Sequence, residues 1–555
     1  MADKQAAFKK EISESYGAIS DNSIYLGTAL FEGSVIPDAQ IKMPLKMFNR
    51  HGLVAGATGT GKTRTLQLLA ERLSQSGVPS LLMDMKGDLG GIAKPGTAHD
   101  WLLERAKKMG DAWEPKGFPV DWLGLSENSG APLRTTVSEL GPDLLSRLLD
   151  LTDTQASVLT VIFRFCDESG LLLVDFKDMA KVLDFISGEG EAEFKEKYGE
   201  VAGATLGVIR RKLIALESEA AANFFSEPSF EVQDLMRLKN KMGIIHLLHL
   251  APVLTKPSIF TSFLLALLAE VFAEMPEVGD LDKPKLVIFI DEAHLVFKDA
   301  SKTLLEQIEM TARLIRSRGV GLIFCSQRPD DVPEAILSQL GFKVQHALRA
   351  FTAKDRTAMK KIAQNFPITE FYETETLLSQ MGTGEALVTV LNEKGIPTPL
   401  AHILVAAPHS SMEALPSAEF QKLAQESDLY KKYSQAVDPE SAFEILSAKV
   451  EKRLANEGIE EEPTESPVEP ATGSKRLPNL RVHGRAGSEE SKSAVRSKQE
   501  PVAKKTSLID SKLMRDVGKT VAREVSRGLL GAIGLKTARR GRGSSLAKDL
   551  LKSLF

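Results

Sequence analysis

The chain has 555 residues, of which 43% are hydrophobic and 26% charged; this ordinary globular usage excludes a collagen-like or wholly disordered protein, and the length calls for about two to four domains or one elaborated domain. The formal charge of −4 is uneven, because residues 501–555 carry 13 Lys and Arg against 4 Asp and Glu, a net of +9, leaving 57 against 70, or −13, for the first 500. Two cysteines, Cys166 and Cys325, exclude a disulfide framework or a cysteine-based zinc site and point to a reducing cytoplasm.

The opening MADKQAAFKKEIS has no apolar core of signal-peptide type, and no run reaches about 18 apolar residues, so neither a leader nor a membrane span is expected. Residues 22–47 read as a few short strands leading into the main domain, too few for a complete accessory barrel. From 48 to 408, short apolar runs alternate with helical patterns, which predicts an α/β core with a mainly parallel sheet. The expected central strands are Leu53–Ala55, Leu81–Met83, Gly243–Leu248, Leu286–Ile290, Gly321–Cys325, Val344–Leu348 and Ala386–Leu391. Residues 95–235 read as a mostly helical insertion, and 409–456 as a helical extension. Residues 457–506 are rich in Glu, Pro, Ser and Lys, the composition of a disordered linker. Residues 507–555 form a basic amphipathic tail, with Met514, Val517, Val521 and Val525 on one side.

The strongest motif is GATGTGKT, Gly56 to Thr63, a complete G-x-x-x-x-G-K-[ST] between an apolar strand and a helical pattern. The stretch Gly56, Ala57, Thr58, Gly59, Thr60, Gly61, Lys62, Thr63 and Arg64 is the expected nucleotide cradle. Its glycines permit a tight turn that aims backbone N–H groups at phosphate oxygens. Lys62 is expected to reach the β- and γ-phosphates and the Thr63 hydroxyl to ligate Mg²⁺.

Next comes LVIFIDEAH, five apolar residues running into two acids at the carboxyl end of a buried strand, where open α/β sheets bind ligands. Asp291 is expected to hold Mg²⁺, and Glu292 to act as general base on the attacking water. His294 is open to two readings, coupling the site to substrate or, more simply, facing a helix cap. In GLIFCSQRP, a further strand delivers Gln327, a candidate γ-phosphate sensor, and Arg328, a candidate contact to phosphate or a neighbouring chain. The strings nearest to a guanine reader, Asn240-Lys241-Met242-Gly243 and Thr352-Ala353-Lys354-Asp355, depart from Asn-Lys-x-Asp, so ATP is the expected nucleotide.

The strand after the loop-bearing helix ends in Asp84-x-Lys86-Gly87-Asp88, a charged cluster beside the phosphate loop. With GATGTGKT, IDEAH and SQRP in that order, and with Asn49–Ala55 and Gly384-Glu385-Ala386, the chain resembles the HerA–FtsK superfamily over residues 20–408, and most of all its bacterial HerA-like members of the YjgR type. The resemblance implies a RecA-like ASCE ATPase that forms hexameric rings, with nucleotide between subunits and an arginine supplied by the neighbour. Among Arg313, Arg316 and Arg318, it implies Arg318 first and Arg316 second. It also implies DNA as the substrate of a translocase or helicase. The first 47 residues are short for the N-terminal barrel of archaeal HerA proteins, and neither the membrane region nor the winged helix of FtsK-type pumps is visible.

Candidate pore-facing bases are Lys354, Arg356, Lys360 and Lys361, and Arg539, Arg540 and Arg542 in the tail are suited to backbone phosphates. A protein partner or an anionic membrane is the alternative target of the tail. An ATP-dependent switch or assembly factor, and a peptide-moving ATPase, remain the other functional readings of the same core.

Overall fold

The alternation of each short apolar run decides which way its side chains face. In Leu286–Ile290, Leu286, Ile288 and Ile290 enter one apolar layer while Val287 and Phe289 enter the other. Leu53 and Ala55 against Val54, Leu81 and Met83 against Leu82, and Leu322 and Phe324 against Ile323 and Cys325 divide in the same way. A sheet buried on both faces requires such unbroken apolar strands.

The computed structural model describes residues 2–457 apart from 18–21, 127, 220–223, 254–256, 299–301 and 393. The strands are β1 (Ser23–Phe31), β2 (Ser34–Pro44), β3 (Gly52–Ala55), β4 (Ser80–Asp84), β5 (Val120–Gly124), β6 (Ala131–Pro132), β7 (Leu238–Lys239), β8 (Met242–Gly243), β9 (Ile245–His249), β10 (Leu286–Ile290), β11 (Val320–Ser326), β12 (Phe342–His346), β13 (Glu385–Val390) and β14 (Ala401–Val405). Among the described residues, twelve of them form one sheet in the order β2-β1-β14-β13-β12-β3-β11-β10-β4-β9-β5-β6. From β12 to β6 all neighbours are parallel. From β12 to β2 all are antiparallel.

One face is covered by the helix Lys62–Gln75, which buries Leu66, Leu69 and Leu73 at i, i+3 and i+7. Each such side chain contributes roughly 1.5–3 kcal/mol of burial. The first helix, Ala2–Ile12, adds Phe8 and Ile12 to the same layer. The other face carries Val137–Leu148, Asp153–Ser169, Phe176–Ser187, Gly203–Glu219, Pro257–Glu274 and Lys302–Ile315. The helix Val137–Leu148 starts where the Thr136 hydroxyl accepts from the Glu139 amide and Glu139 answers on the Thr136 amide, which satisfies two end groups at once.

The expected central strands are all present, and the sheet is wider than they imply. The run Val120–Gly124 lies within the stretch read as helical insertion, yet it is a strand beside β9. Its apolar run is interrupted by Asp121, which the fold accommodates by an ion pair with Arg237. Residues 23–44 continue the main sheet through β14. Residues 409–457 hold the helices Ser417–Glu426, Asp428–Tyr433 and Ala442–Glu457. The linker from 458 and the basic tail with Arg539, Arg540 and Arg542 lie outside the described residues.

Candidate active site

The loop Gly56–Gly61 joins β3 to the helix Lys62–Gln75 at the carboxyl edge of the sheet. Both flanking strands suspend it. The Gly56 amide donates to the Ser326 carbonyl at 3.2 Å and the Ala57 amide to the Ala347 carbonyl at 2.8 Å. A Cβ on Gly56 would meet the Cβ of His346 at 2.5 Å, and Gly61 has φ +118°, so neither position tolerates a side chain without strain. His346 is the floor of the loop, with Nε2 2.9 Å from the Thr65 hydroxyl and Nδ1 2.8 Å from the Glu385 carbonyl. The Gly384 amide donates to the Thr60 carbonyl at 3.0 Å, tying the loop to the start of β13.

Within the loop, Thr60 Oγ1 donates to the Ala57 carbonyl, while Thr58 and Gly59 stand exposed at the tip. Lys62 is buried, and its Nζ donates to the carbonyls of Gly56 at 2.6 Å and Ala57 at 3.1 Å. Burial pulls the Lys62 pKa down, against the opposing pull of Cys325, Glu292 and Asp291. Thr63 is half-buried in the first turn of the helix, where the helix N-terminus favours anions. Arg64, expected in the cradle, is engaged by the Gln67 side chain at 2.9 Å and the Met412 carbonyl at 2.5 Å.

The acidic pair arrives from two strands away. Ile290 of β10 is level with Met83 of β4 and Phe324 of β11, so Asp84, Asp291 and Cys325 stand level at the carboxyl edge of the sheet. Asp291 is buried, and burial and the Glu292 charge raise its pKa despite its contact with Cys325. Its Oδ1 accepts the Glu292 amide at 2.9 Å. Glu292 adopts φ +46°, a left-handed conformation that costs a non-glycine residue about 1–3 kcal/mol and concentrates at functional sites. Lys86 Nζ donates to Glu292 Oε1 at 2.6 Å. Glu292 Oε2 is a buried acceptor without a hydrogen bond, 3.3 Å from His294 Nδ1. Thus His294, read as facing a cap, stands beside the carboxylate. Burial raises the Glu292 pKa, but Lys86, His294 and Lys62 outweigh it and hold the group below its ordinary range.

The Thr63 hydroxyl and the Asp291 carboxylate are hard oxygen donors of the kind Mg²⁺ takes beside phosphates and water. No cluster of three or more His, Cys, Asp or Glu able to cage a metal occurs among the described residues. A hydroxyl and a carboxylate at this edge fit an ion that also takes phosphate and water oxygens.

Gln327 is exposed just past the end of β11, beside the Gly56 contact. Arg328 forms a fork on Asp330, at 2.9 and 2.6 Å. Arg316 and Arg318 sit at the opposite end of β11, about 20 Å along the strand from its carboxyl end. Arg316 pairs with Asp280 at 3.0 Å. Arg318 lies 4.2 Å over the Phe272 ring and donates to the Met275 carbonyl. Arg313 is exposed. Lys354, Arg356, Lys360 and Lys361 are exposed on the helix Ala353–Gln364. Lys354 and Lys361 line a cleft of about 910 Å³ with Arg328 and Lys343. Of the two strings nearest to a guanine reader, one is the β7–β8 turn, with Asn240 and Lys241 at positive φ, and the other is the capping box of that helix.

A phosphate loop on β3, an acidic pair after β10 and the extra strand β11 between them define a RecA-like P-loop NTPase of the ASCE class. The chain belongs to the helicase HerA-like C-terminal family, whose model matches residues 32–540. It is 22% identical over 378 residues to the DNA double-strand break repair helicase HerA of Sulfolobus acidocaldarius, covering 65% of this chain and 66% of that one. It is 25% identical over 360 residues to the protein of the same name from Sulfurisphaera tokodaii, covering 63% and 64%. The chain thus spans just under two thirds of these relatives' length. Among solved structures, the plasmid coupling protein TrwB with ADP and Mg²⁺ is similar over 72% of this chain and 98% of its own, at 13% identity and a TM-score of 0.46.

Proposed function

We propose that the chain is an ATP-hydrolysing motor of the HerA kind, acting on DNA as a hexameric ring. The observation that carries the hydrolytic part is the convergence of Lys62, Asp291, Glu292 and Lys86 at one strand edge, although 229 positions separate Lys62 from Asp291. The amides at the loop tip and the helix N-terminus receive the phosphates, and Lys62 turns from the loop carbonyls to the β- and γ-phosphates. Thr63 and Asp291 would hold Mg²⁺, which when bound would neutralise phosphate charge. Glu292 takes a proton from the attacking water, and Gln327 senses the γ-phosphate.

The DNA part is supported by the family and by the names of both HerA relatives. The cleft lined by Arg328, Lys343, Lys354 and Lys361, with Asp330 on Arg328 and Glu334 also on its wall, offers lysines to backbone phosphates, as does the basic tail; neutralising those phosphates dominates nucleic-acid affinity. Within the ring, an arginine from the neighbouring subunit completes the site. Arg318 and Arg316 act there only after leaving Phe272 and Asp280, whereas Arg313 is already exposed. No helix among the described residues is long and apolar enough to cross a membrane.

The test is ATP turnover with and without single- and double-stranded DNA, at low and moderate salt. The expected result is stimulation of several-fold that weakens with salt. Turnover indifferent to DNA at every salt and length overturns the motor reading. Removing residues 501–555 is expected to lower DNA affinity; unchanged affinity removes the tail from the DNA path.

A further inference from the structure

The string Asp84-x-Lys86-Gly87 has a physical explanation that the nucleotide reading leaves unused. Asp84 is buried, and its two oxygens accept the amides of Lys86 at 3.2 Å, Gly87 at 2.7 Å and Leu89 at 3.1 Å. Gly87 takes φ +73°, and a Cβ there would stand 3.0 Å from the His249 ring. The turn after β4 is therefore fixed by its own backbone bonds. Because β4 and β10 run parallel in register, this turn emerges beside the Asp291–Glu292 corner. The Lys86 ammonium meets Glu292 Oε1 at 2.6 Å across 206 positions of sequence.

The two oxygens of Glu292 are thereby made unequal. Oε1 is held by Lys86 at 2.6 Å, while Oε2 has no hydrogen bond and has His294 Nδ1 beside it at 3.3 Å. The left-handed backbone at Glu292, secured by Asp291 Oδ1, fixes the base of the side chain, and Lys86 fixes its end. We propose that Lys86 is a positioning residue for Glu292, holding Oε1 so that Oε2 is the atom presented to the attacking water. This rests on the ATPase reading above. In the step it serves, the water oxygen bonds to the γ-phosphorus and the β–γ bridging P–O bond breaks. The water proton passes to Glu292 Oε2, and the bond's electron pair leaves on the bridging oxygen with ADP. Lys86 itself forms and breaks no covalent bond.

The experiment compares Lys86→Gln, Lys86→Arg, Glu292→Gln and the double variant Lys86→Gln with Glu292→Gln against the unaltered chain. The measurements are kcat and KM for ATP, the Kd for a non-hydrolysable ATP analogue, and thermal melting without nucleotide. Lys86→Gln is expected to lower kcat by about ten- to a hundredfold while KM and the analogue Kd stay within about threefold. Lys86→Arg keeps a donor at the carboxylate and is expected to restore most of the loss. The melting effects of Lys86→Gln and Glu292→Gln are expected to be non-additive, as for residues in contact. An unchanged or raised kcat in Lys86→Gln overturns the proposal. So does an Arg variant no better than Gln, or a loss of analogue binding that matches the loss of turnover, which would make Lys86 a phosphate ligand. If the unaltered chain hydrolyses no ATP, the enzyme reading fails first. In that case the melting cycle still judges the contact, and additive effects reject it.

Discussion

The two ends of the parallel sheet carry the same kinds of charged residue and use them in opposite ways. At the amino end, Lys46, Arg50 and Arg316 gather on Asp280, and Arg318 lies on Phe272 with its guanidinium bonded to a carbonyl. Each of these cations has a contact in its own chain, although Arg50 Nε and Arg318 Nε are buried without a hydrogen bond. At the carboxyl end, Lys62 has only loop carbonyls, Glu292 keeps a buried oxygen unbonded, and the backbone between the two acids is strained. Buried polar groups ordinarily find partners, and unpartnered ones occur at both ends; what sets the carboxyl end apart is that its lysines, its acidic pair and a left-handed backbone converge on the phosphate loop. Neither charge nor an unpartnered atom locates a site by itself; that convergence does.

The largest effect that tests this contrast is on chemistry. Glu292→Gln is expected to cut ATP turnover by at least about a hundredfold, within the range for removing a general base, without loss of folding. Lys62→Ala is expected to abolish turnover and to weaken nucleotide binding as well. Steady-state kinetics with a circular dichroism control checks both. If either variant loses structure instead, the carboxyl end is as much a part of the scaffold as the amino end.

The next effect is on stability. Arg318→Ala is expected to destabilise by about 1–2 kcal/mol through the lost ring stacking and hydrogen bond, measured by urea unfolding. Arg313→Ala, at an exposed position, is expected to leave stability within about 0.5 kcal/mol. A turnover loss in Arg318→Ala with unchanged stability would give that residue a role across subunits and blur the contrast.

Acidification sharpens the comparison further. His51, His246 and His346 are buried, and desolvation holds their pKa values at about 4, 3 and 4. Unfolded histidine titrates near 6.5. Below that pH the unfolded chain binds protons that the folded chain refuses. Stability is therefore expected to fall as pH drops from about 6.5 to about 4. Melting temperature across that window checks this, and a flat profile contradicts the burial of the three rings.

What was legible in the sequence follows from the range of the interactions. The phosphate loop and the acidic strand were readable because each is local: a complete motif, or five apolar residues running into two acids. The strand Val120–Gly124 was not, because Asp121 breaks its pattern and only Arg237, 116 positions away, explains it. β1 and β2 read as a lead-in because β14, which joins β1 to the main sheet, lies more than 350 positions downstream. The Lys86–Glu292 contact was visible only as a charged cluster near the loop, since register between β4 and β10 is a property of the sheet. Arg64 stands next to Thr63 in the expected cradle, but helix periodicity decides its side: with Gln67 and Glu71 it forms one face of the helix Lys62–Gln75.

That face supplies the smallest and most specific prediction. Arg64 donates to the Met412 carbonyl, Gln67 to the Ser410 hydroxyl and the Ser411 carbonyl, and Glu71 accepts from the amides of His409 and Ser410. The segment 409–412 is thus strapped along the helix that begins with Lys62. Burial raises the Glu71 pKa to about 7, against the pull of Ser410 and His409. The folded carboxyl keeps its proton at pH values where the unfolded one, with an ordinary pKa near 4.3, has lost it. Its contribution is therefore fully present below about pH 4.3 and is lost as pH rises through about 7, opposite in sign to the histidines. Glu71→Gln removes this titration while keeping the side chain's size. The difference in melting temperature between the unaltered chain and Glu71→Gln is expected to move against the unaltered chain between pH 5 and pH 8. A difference independent of pH would mean that Glu71 is ionised throughout, its three donors from His409 and Ser410 having overcome its burial.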